Sequence, residues 1–308
     1  MTDVCFTILH YLSAEVTMRC ADSLLALSGI EKCRIIVLDN GSPNDSFEAL
    51  RAKYEGQPLV ELHKGEANLG FTGGNNFLYA RAKEYAPRCV VVLNNDTVIE
   101  QKDFIPVLLK TEEESGAYVL GVDVYAPYAH VHQNPLYSSL PSIQTLDGEM
   151  EAWRRIIKDG GVPDREETAY KLQILRHKLL PQGVVELFRK VRGTTQEEYK
   201  KDVKDPVIQG SCIIATRKYM DLEDVLFEPN TGFYFEEMLL ALKCRTKGYP
   251  TLYTPELQLI HHHAVASRMA SGKYSDYMLT QAKRMISAFE IYRSTYNNNP
   301  WVKKNDQR

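Results

Sequence analysis

The feature that most constrains this chain is an alternation in its first third. Short runs rich in Val, Ile and Leu are each followed by a stretch whose apolar residues recur at helical spacing. Val4–Leu9, Arg34–Leu38, Leu59–Leu62 and Cys89–Leu93 read as strands bounded by polar turns. Thr17–Ser28, Asp45–Tyr54 and Gly74–Tyr85 read as the helices between them. Strand–helix–strand units of this length require parallel strands joined by right-handed crossovers. The expected fold is α/β: a Rossmann-like, doubly wound, mostly parallel sheet, with one more strand at Ala117–Tyr125.

From residue 127 to 206 the texture changes to prolines, tyrosines and charges, then to helical stretches at Glu149–Lys158 and Glu166–Val191. This reads as an inserted helical subdomain. Beyond it come a strand at Val207–Ala215, a helix at Phe235–Lys247, an apolar strand running into His261-His262-His263, and a helix at Asp276–Tyr296. A chain of 308 residues with net charge -3 suits one large domain with an insertion and carries no global basic signature of nucleic-acid binding. No apolar run reaches the roughly 18 residues of a membrane helix. Six scattered cysteines without C-x-x-C spacing read as buried thiols of a reducing, cytoplasmic compartment.

Ligands of open parallel sheets bind beyond the carboxyl ends of the strands, and the polar motifs of this chain sit there. The second strand ends in Asp39-Asn40-Gly41-Ser42, the third leads to Asn68-Leu69-Gly70-Phe71-Thr72-Gly73-Gly74-Asn75-Asn76, and the fourth ends in Asn94-Asn95-Asp96-Thr97. Asp39 offers acceptors that suit the N3–H of a pyrimidine base, although an Asx turn capping the next helix uses the same residues. The glycine stretch has the wrong place and spacing for a dinucleotide fingerprint. It reads instead as close backbone approach to a ligand at a helix start, where N–H groups favour anions.

An acid ending a buried strand is costly unless paired or metal-bound, so Asp96 suggests a hard cation shared with phosphate oxygens. The alternative is an N-cap for a helix beginning after Thr97. Glu236 and Glu237 open a helix behind Phe233-Tyr234-Phe235, whose rings would desolvate one carboxyl and raise its pKa into the range of a general base. In the histidine triplet at most His261 and His263 share a face. At least one of the three is expected to meet a metal or phosphate, and the sequence leaves open which.

Taken together, these motifs resemble the family 2 glycosyltransferases of the GT-A fold, nearest in texture to rhamnosyltransferase-like members. Gly210-Ser211-Cys212, Phe233–Glu237, the histidines and Ser267 extend the match from about residue 4 to 267. The resemblance implies a nucleotide-sugar-binding half at residues 1–126, the insertion at 127–206, an acceptor and catalytic half at 207–270, and a C-terminal helix at 271–308. It implies that Asp39, with Asn40, holds the base, and that Asn68, Gly70, Asn75 and Asn95 line the nucleotide-sugar pocket. Asp96 falls at the last acid of a D-x-D-like metal motif for Mn²⁺ or Mg²⁺, joined by His261 or His263. Asn94, Glu236 and His262 are secondary to these.

Glu237 takes the place of the base that deprotonates an acceptor hydroxyl. The implied reaction is inverting transfer from dTDP-rhamnose or a UDP-hexose to a glycan or lipid-linked acceptor, in surface polysaccharide synthesis. Departures are Asn94 for the first motif acid, Glu237 for aspartate, and Leu239 where an acid commonly follows. They motivate a rival reading as a catalytically degenerate nucleotide-sugar binder or scaffold. A nucleotidyltransferase would need a basic, Gly-rich loop after the first strand, which His10-Tyr11-Leu12-Ser13 is not. For Leu172–Val191 two expectations stand: packing on the core or on a second copy of the chain, or peripheral contact with the inner membrane face.

Overall fold

In a computed structural model, residues 2–128, 130–163, 197–262 and 274–305 are described. Strands β1 (Val4–His10), β2 (Cys33–Asp39), β3 (Val60–Lys64) and β4 (Cys89–Asn94) form the parallel part of one sheet, ordered β3-β2-β1-β4. Helices α1 (Ala14–Leu25), α2 (Ser46–Tyr54) and α3 (Gly70–Lys83) fill the crossovers. The sheet continues from β4 through β9 (Cys212–Thr216), β6 (Val119–Ala126) and β10 (Thr251–His261) to the short β5 (Thr97–Val98). β9 runs antiparallel to both its neighbours, whereas β10 is parallel to β6. The short β7 (Val131–His132) pairs with β6, and β8 (Val203–Lys204) with β10. The expected α/β class, doubly wound and mostly parallel in its first half, is the one observed.

The central strands β1, β2, β4 and β9 are almost wholly buried because both faces of the sheet are covered there. Val4, Phe6 and Ile8 point into a layer with Cys20 and Leu24 of α1 and with Phe104 and Leu108 of α4 (Phe104–Ser115). Cys5, between them, faces Leu78, Tyr79 and Ala82 of α3. Burying a side chain the size of Phe6 stabilises the fold by roughly 1.5–3 kcal/mol. All six cysteines are buried thiols, as expected.

A third apolar cluster lies outside the sheet layers. The helix α5 (Ile143–Asp159) sets Leu146 and Met150 against Ala288, Phe289 and Tyr292 of α8 (Tyr274–Asn298), with Leu239 of α7 (Glu236–Lys247) in the same cluster. The first helix of the insertion therefore packs on the body of the protein. Two short helices complete the described elements: α6 (Arg217–Met220) after β9 and α9 (Pro300–Asn305) after α8. The expected helix at Glu166–Val191, His263 and Ser267 lie outside the described residues. No helix among the described residues is long and apolar enough to cross a membrane.

Two differences from expectation bear on the site. The strand expected at Val207–Ala215 begins at Cys212, since Gln209 folds back and its Oε1 accepts from the Ser211 N–H at 2.9 Å. Val207 makes an isolated bridge to Tyr137 instead. After Thr97 there is a strand, not a helix, so Asp96 is not an N-cap.

Candidate functional site

In the register of the parallel strands, His10 lies beside Asp39 and Leu9 beside Asn94. The first three strand ends, with their polar motifs, thus open on one edge. Chain direction across the sheet reverses at β1, since β2 lies on one side and β4 on the other. This is the switch point at which such sheets leave a crevice.

Asp39 is almost fully buried. Its Oδ1 accepts from the Ser42 N–H at 3.2 Å, and its Oδ2 has no hydrogen-bond partner among the described residues. The His10 ring, 3.9 Å from Oδ1, was not singled out from the sequence. Its Nδ1 lies 2.7 Å from Thr17 Oγ1 and its Nε2 lies 2.9 Å from Ser46 Oγ. Burial pushes this imidazole down to about 4, against the pull of Asp39, so it is neutral near pH 7. Thr17 Oγ1 also accepts from Asn95 Nδ2 at 3.0 Å. One buried chain of hydrogen bonds therefore runs from Ser46, at the start of α2, through His10 and Thr17 to Asn95 of the Asn94–Asp96 motif, passing beside Asp39. Its sequence signal was a histidine ending the first strand.

The glycine motif corrects an expectation. α3 begins at Gly70, four residues before the expected start, and its first donors do not face a ligand. The Phe71 and Thr72 N–H groups donate to the Gly232 carbonyl at 2.6 and 3.3 Å. Gly70 has φ +72°, and a Cβ there would sit 2.8 Å from that same oxygen. The glycines thus serve backbone-to-backbone approach, and at Gly74 approach to the Leu9 side chain. Asn40 clasps this junction: its Nδ2 donates to Asn68 Oδ1 (3.2 Å) and the Gly70 carbonyl (3.0 Å), while its Oδ1 accepts from the Leu69 N–H (2.9 Å). Asn68 is exposed at the rim, whereas Asn75 is buried, with Nδ2 on the Phe71 carbonyl and Oδ1 lacking a hydrogen-bond partner among the described residues.

At the end of β4, the Asn94 N–H donates to the Ser211 carbonyl at 3.0 Å. Pairing of β5 with β10 brings Asp96 to the histidines: Asp96 Oδ1 lies 3.2 Å from His261 Nε2, and the Asp96 carbonyl accepts from the His262 N–H at 2.8 Å. His261 is buried and His262 is exposed. His261 Nδ1 lies 2.7 Å from Gln133 Oε1. An amide oxygen can only accept, so Nδ1 carries a proton and it is Nε2 that faces the carboxylate. The two atoms at that distance need a proton or a cation between them. An imidazole fixed through its other nitrogen, beside a carboxylate, is a donor set that fits a divalent ion, Mn²⁺ more readily than Mg²⁺ because nitrogen is present. No group of three or more His, Cys, Asp or Glu that could hold a metal occurs among the described residues. A metal on this pair would take its remaining ligands from phosphate oxygens and water.

The two glutamates are delivered by a strained turn. Tyr234 and Phe235 both have positive φ, 68° and 63°, unusual for bulky residues. Phe235 is held there by its packing against Phe289 and Tyr292. Glu237 Oε1 accepts from the Gly210 N–H at 3.0 Å, and a Cβ at residue 210 would sit 2.6 Å from that oxygen, so any side chain there would displace the carboxylate. Glu236 is buried, with Oε2 lacking a hydrogen-bond partner among the described residues. Burial, reinforced by the charge of Glu237, pushes the Glu236 carboxyl well up, and burial raises Glu237 also. Leu239, at the position of the missing acid, packs in the apolar cluster with α8.

The described residues thus present an α/β sheet open at its switch point, an acid–histidine pair at the β5–β10 pairing and a buried glutamate at the start of α7. The sequence matches glycosyl transferase family 2 over residues 5–173. The chain belongs to that family. It is 21% identical over 294 residues to the uncharacterized protein y4gI of Sinorhizobium fredii, covering 92% of this chain and 28% of that protein. Among solved structures it superimposes on GalNAc-T7 with UDP, GalNAc and Mn²⁺ (TM-score 0.54, 12% identity, 91% of this chain and 47% of that one). It also superimposes on S. aureus TarS (0.57, 10%, 99% and 42%) and on TarS 1–349 with UDP-GlcNAc (0.56, 12%, 99% and 70%). At these identities the likeness is one of fold, GT-A. The chain spans under a third of its curated relative and under half of the first two structures.

Proposed function

We propose that this chain is an inverting, metal-dependent glycosyltransferase that moves a sugar from a pyrimidine nucleotide-sugar to a hydroxyl of a glycan or lipid-linked acceptor. One observation carries the reading. The Gln209–Ser211 segment holds Glu237 through the Gly210 N–H and, one residue on, holds the end of the Asp96 motif through the Ser211 carbonyl. A desolvated carboxyl and a cation-suited pair are thereby built into one frame.

In this reading Asp39 accepts from the base, with the Ser42 N–H fixing its carboxylate. Asn40 holds the loop whose rim Asn68 forms, Gly70 and Asn75 shape the start of α3, and Asn95 joins the hydrogen-bond chain behind the base. Asp96 and His261 would hold Mn²⁺ or Mg²⁺, which when bound offsets the charge of the departing diphosphate. Glu237 takes the acceptor proton as the hydroxyl oxygen bonds to the anomeric carbon and the bond to the diphosphate oxygen breaks, with inversion. Glu236, whose carboxyl is pushed up by burial and by the charge of Glu237, sits beside it in the chain. Donors tried first are UDP-sugars, because two solved relatives hold UDP or UDP-GlcNAc, and dTDP-rhamnose, because the motif texture is rhamnosyltransferase-like. Surface polysaccharide synthesis on the cytoplasmic side is the proposed setting.

A thermal-shift and hydrolysis panel of UDP-, dTDP- and GDP-sugars, each with Mn²⁺, Mg²⁺ or chelator, tests this. Metal-dependent stabilisation by one pyrimidine sugar with slow release of its diphosphate is expected. Binding with no turnover, even with acceptor glycans present, would favour the degenerate binder; no response to any nucleotide sinks the assignment.

A further inference from the structure

Beyond the switch-point crevice, a second cavity of about 840 Å³ lies at the far end of the sheet. Its floor is the paired ends of β6 and β10, where Asp123 lies beside Gln258 and Tyr125 beside Ile260. Its wall is aromatic. The His132 ring of β7 stacks on Tyr199 with centroids 3.6 Å apart and planes 7° apart, and Tyr125 is tilted against the same histidine at 5.2 Å. The volume falls within the roughly 300–1,000 Å³ of small-molecule sites.

The polar groups are organised. Both oxygens of the buried Asp123 carboxylate lie near His132 Nδ1, at 2.8 and 3.0 Å. That nitrogen therefore carries a proton, and Nε2 lies on the opposite edge of the ring. Glu100 adds a second carboxylate to the lining, and Lys200 an ammonium already paired with Glu197 at 3.3 Å. An anionic ligand would meet two carboxylates against one lysine, and a purely apolar one would leave those carboxylates desolvated. A neutral ring with many hydroxyls satisfies both kinds of wall. Its C–H face lies on the aromatic wall, and its hydroxyls donate to carboxylate oxygen.

The place in the fold is as telling as the lining. Ile260 immediately precedes His261, and Gln133, which holds His261, immediately follows His132. Successive residues of two strands thus face the cavity and the Asp96–His261 pair in turn. We propose that this cavity is a saccharide-binding site for a neutral sugar ring of the acceptor, at a distance from the reacting hydroxyl. Its assignment to the acceptor rests on the transferase reading; its preference for a sugar does not.

The test is saturation-transfer NMR on the full chain, using methyl glycosides and short neutral oligosaccharides with saturating UDP and Mn²⁺ present. Wild type is compared with Tyr199→Ala, Asp123→Asn and Asp39→Ala. The expected result is binding of at least one saccharide to wild type and to Asp39→Ala alike. Its affinity should fall at least tenfold in Tyr199→Ala and Asp123→Asn, with UDP-induced thermal stabilisation of those two unchanged. Saccharide binding that depends on Tyr199 in a protein insensitive to every nucleotide would uphold the cavity and overturn the donor reading instead. Saccharide binding indifferent to both cavity substitutions, or none across the panel while UDP binds, would overturn the proposal.

Discussion

Glu236 and Glu237 are neighbours in the chain, yet their surroundings give them different work. Glu237 keeps one oxygen on the Gly210 N–H, whereas Glu236 has an oxygen with no such partner among the described residues. Replacement of Glu237 by Gln should lower turnover by about 10²–10⁴-fold with donor affinity nearly intact, measured as kcat against donor Kd. A base works as its carboxylate, so wild-type turnover should fall as pH drops through the raised Glu237 value, above the ordinary glutamate range. His10 gives the opposite kind of prediction, one of stability. Its folded value, about 4, lies below the unfolded 6.5, so the unfolded chain binds the proton more readily between those limits. Stability is full above pH 6.5 and declines as pH falls toward 4, by about 3 kcal/mol from this group. Urea unfolding at pH 7.5 and 5 should show a smaller acid loss for His10→Asn than for wild type; equal losses would refute the buried neutral ring.

At the scale of elements, the site is assembled by loops that only a particular packing brings together. The strained Tyr234-Phe235 turn sets the start of α7, and the Gln209–Ser211 segment sets the approach to β9. Their meeting point is Gly210. A methyl group there collides with Glu237, and the carboxylate must move. Gly210→Ala should therefore reduce turnover by about 10–100-fold with little change in nucleotide binding, since misplacement by about 1 Å costs about that much. Unchanged kcat would separate Glu237 from the reaction. The central sheet strands were legible because each is largely apolar on both faces and bounded by turns. The early start of α3 was not, since Asn68 and Gly70 look like loop residues until Gly232 is seen to accept the first helical donors.

Across the whole molecule, the acid–histidine pair joins residues 165 positions apart through β5 and β10, with Gln133 of the β6–β7 hairpin behind them. Gln133 fixes which ring nitrogen faces Asp96. Gln133→Leu should weaken Mn²⁺ affinity by about 10–100-fold, followed by titration in the presence of UDP, without loss of the fold. Unaltered affinity would mean that His261 is not a ligand.

What the sequence by itself determined is local and periodic: the two-sided apolar strands, the crossover helices, the three polar motifs at strand ends, the buried thiols and the paired glutamates. These follow from burial and chain stereochemistry, which act within a few residues. Only the tertiary structure decided which histidine meets Asp96, that His10 and Thr17 link Ser46 to Asn95, that Asn40 and the glycines brace backbone to backbone, and that Asp123, His132 and Tyr199 share a cavity. Each of those depends on hydrogen bonds or stacking a few ångströms long between distant segments, fixed by strand order and register that local pattern does not encode.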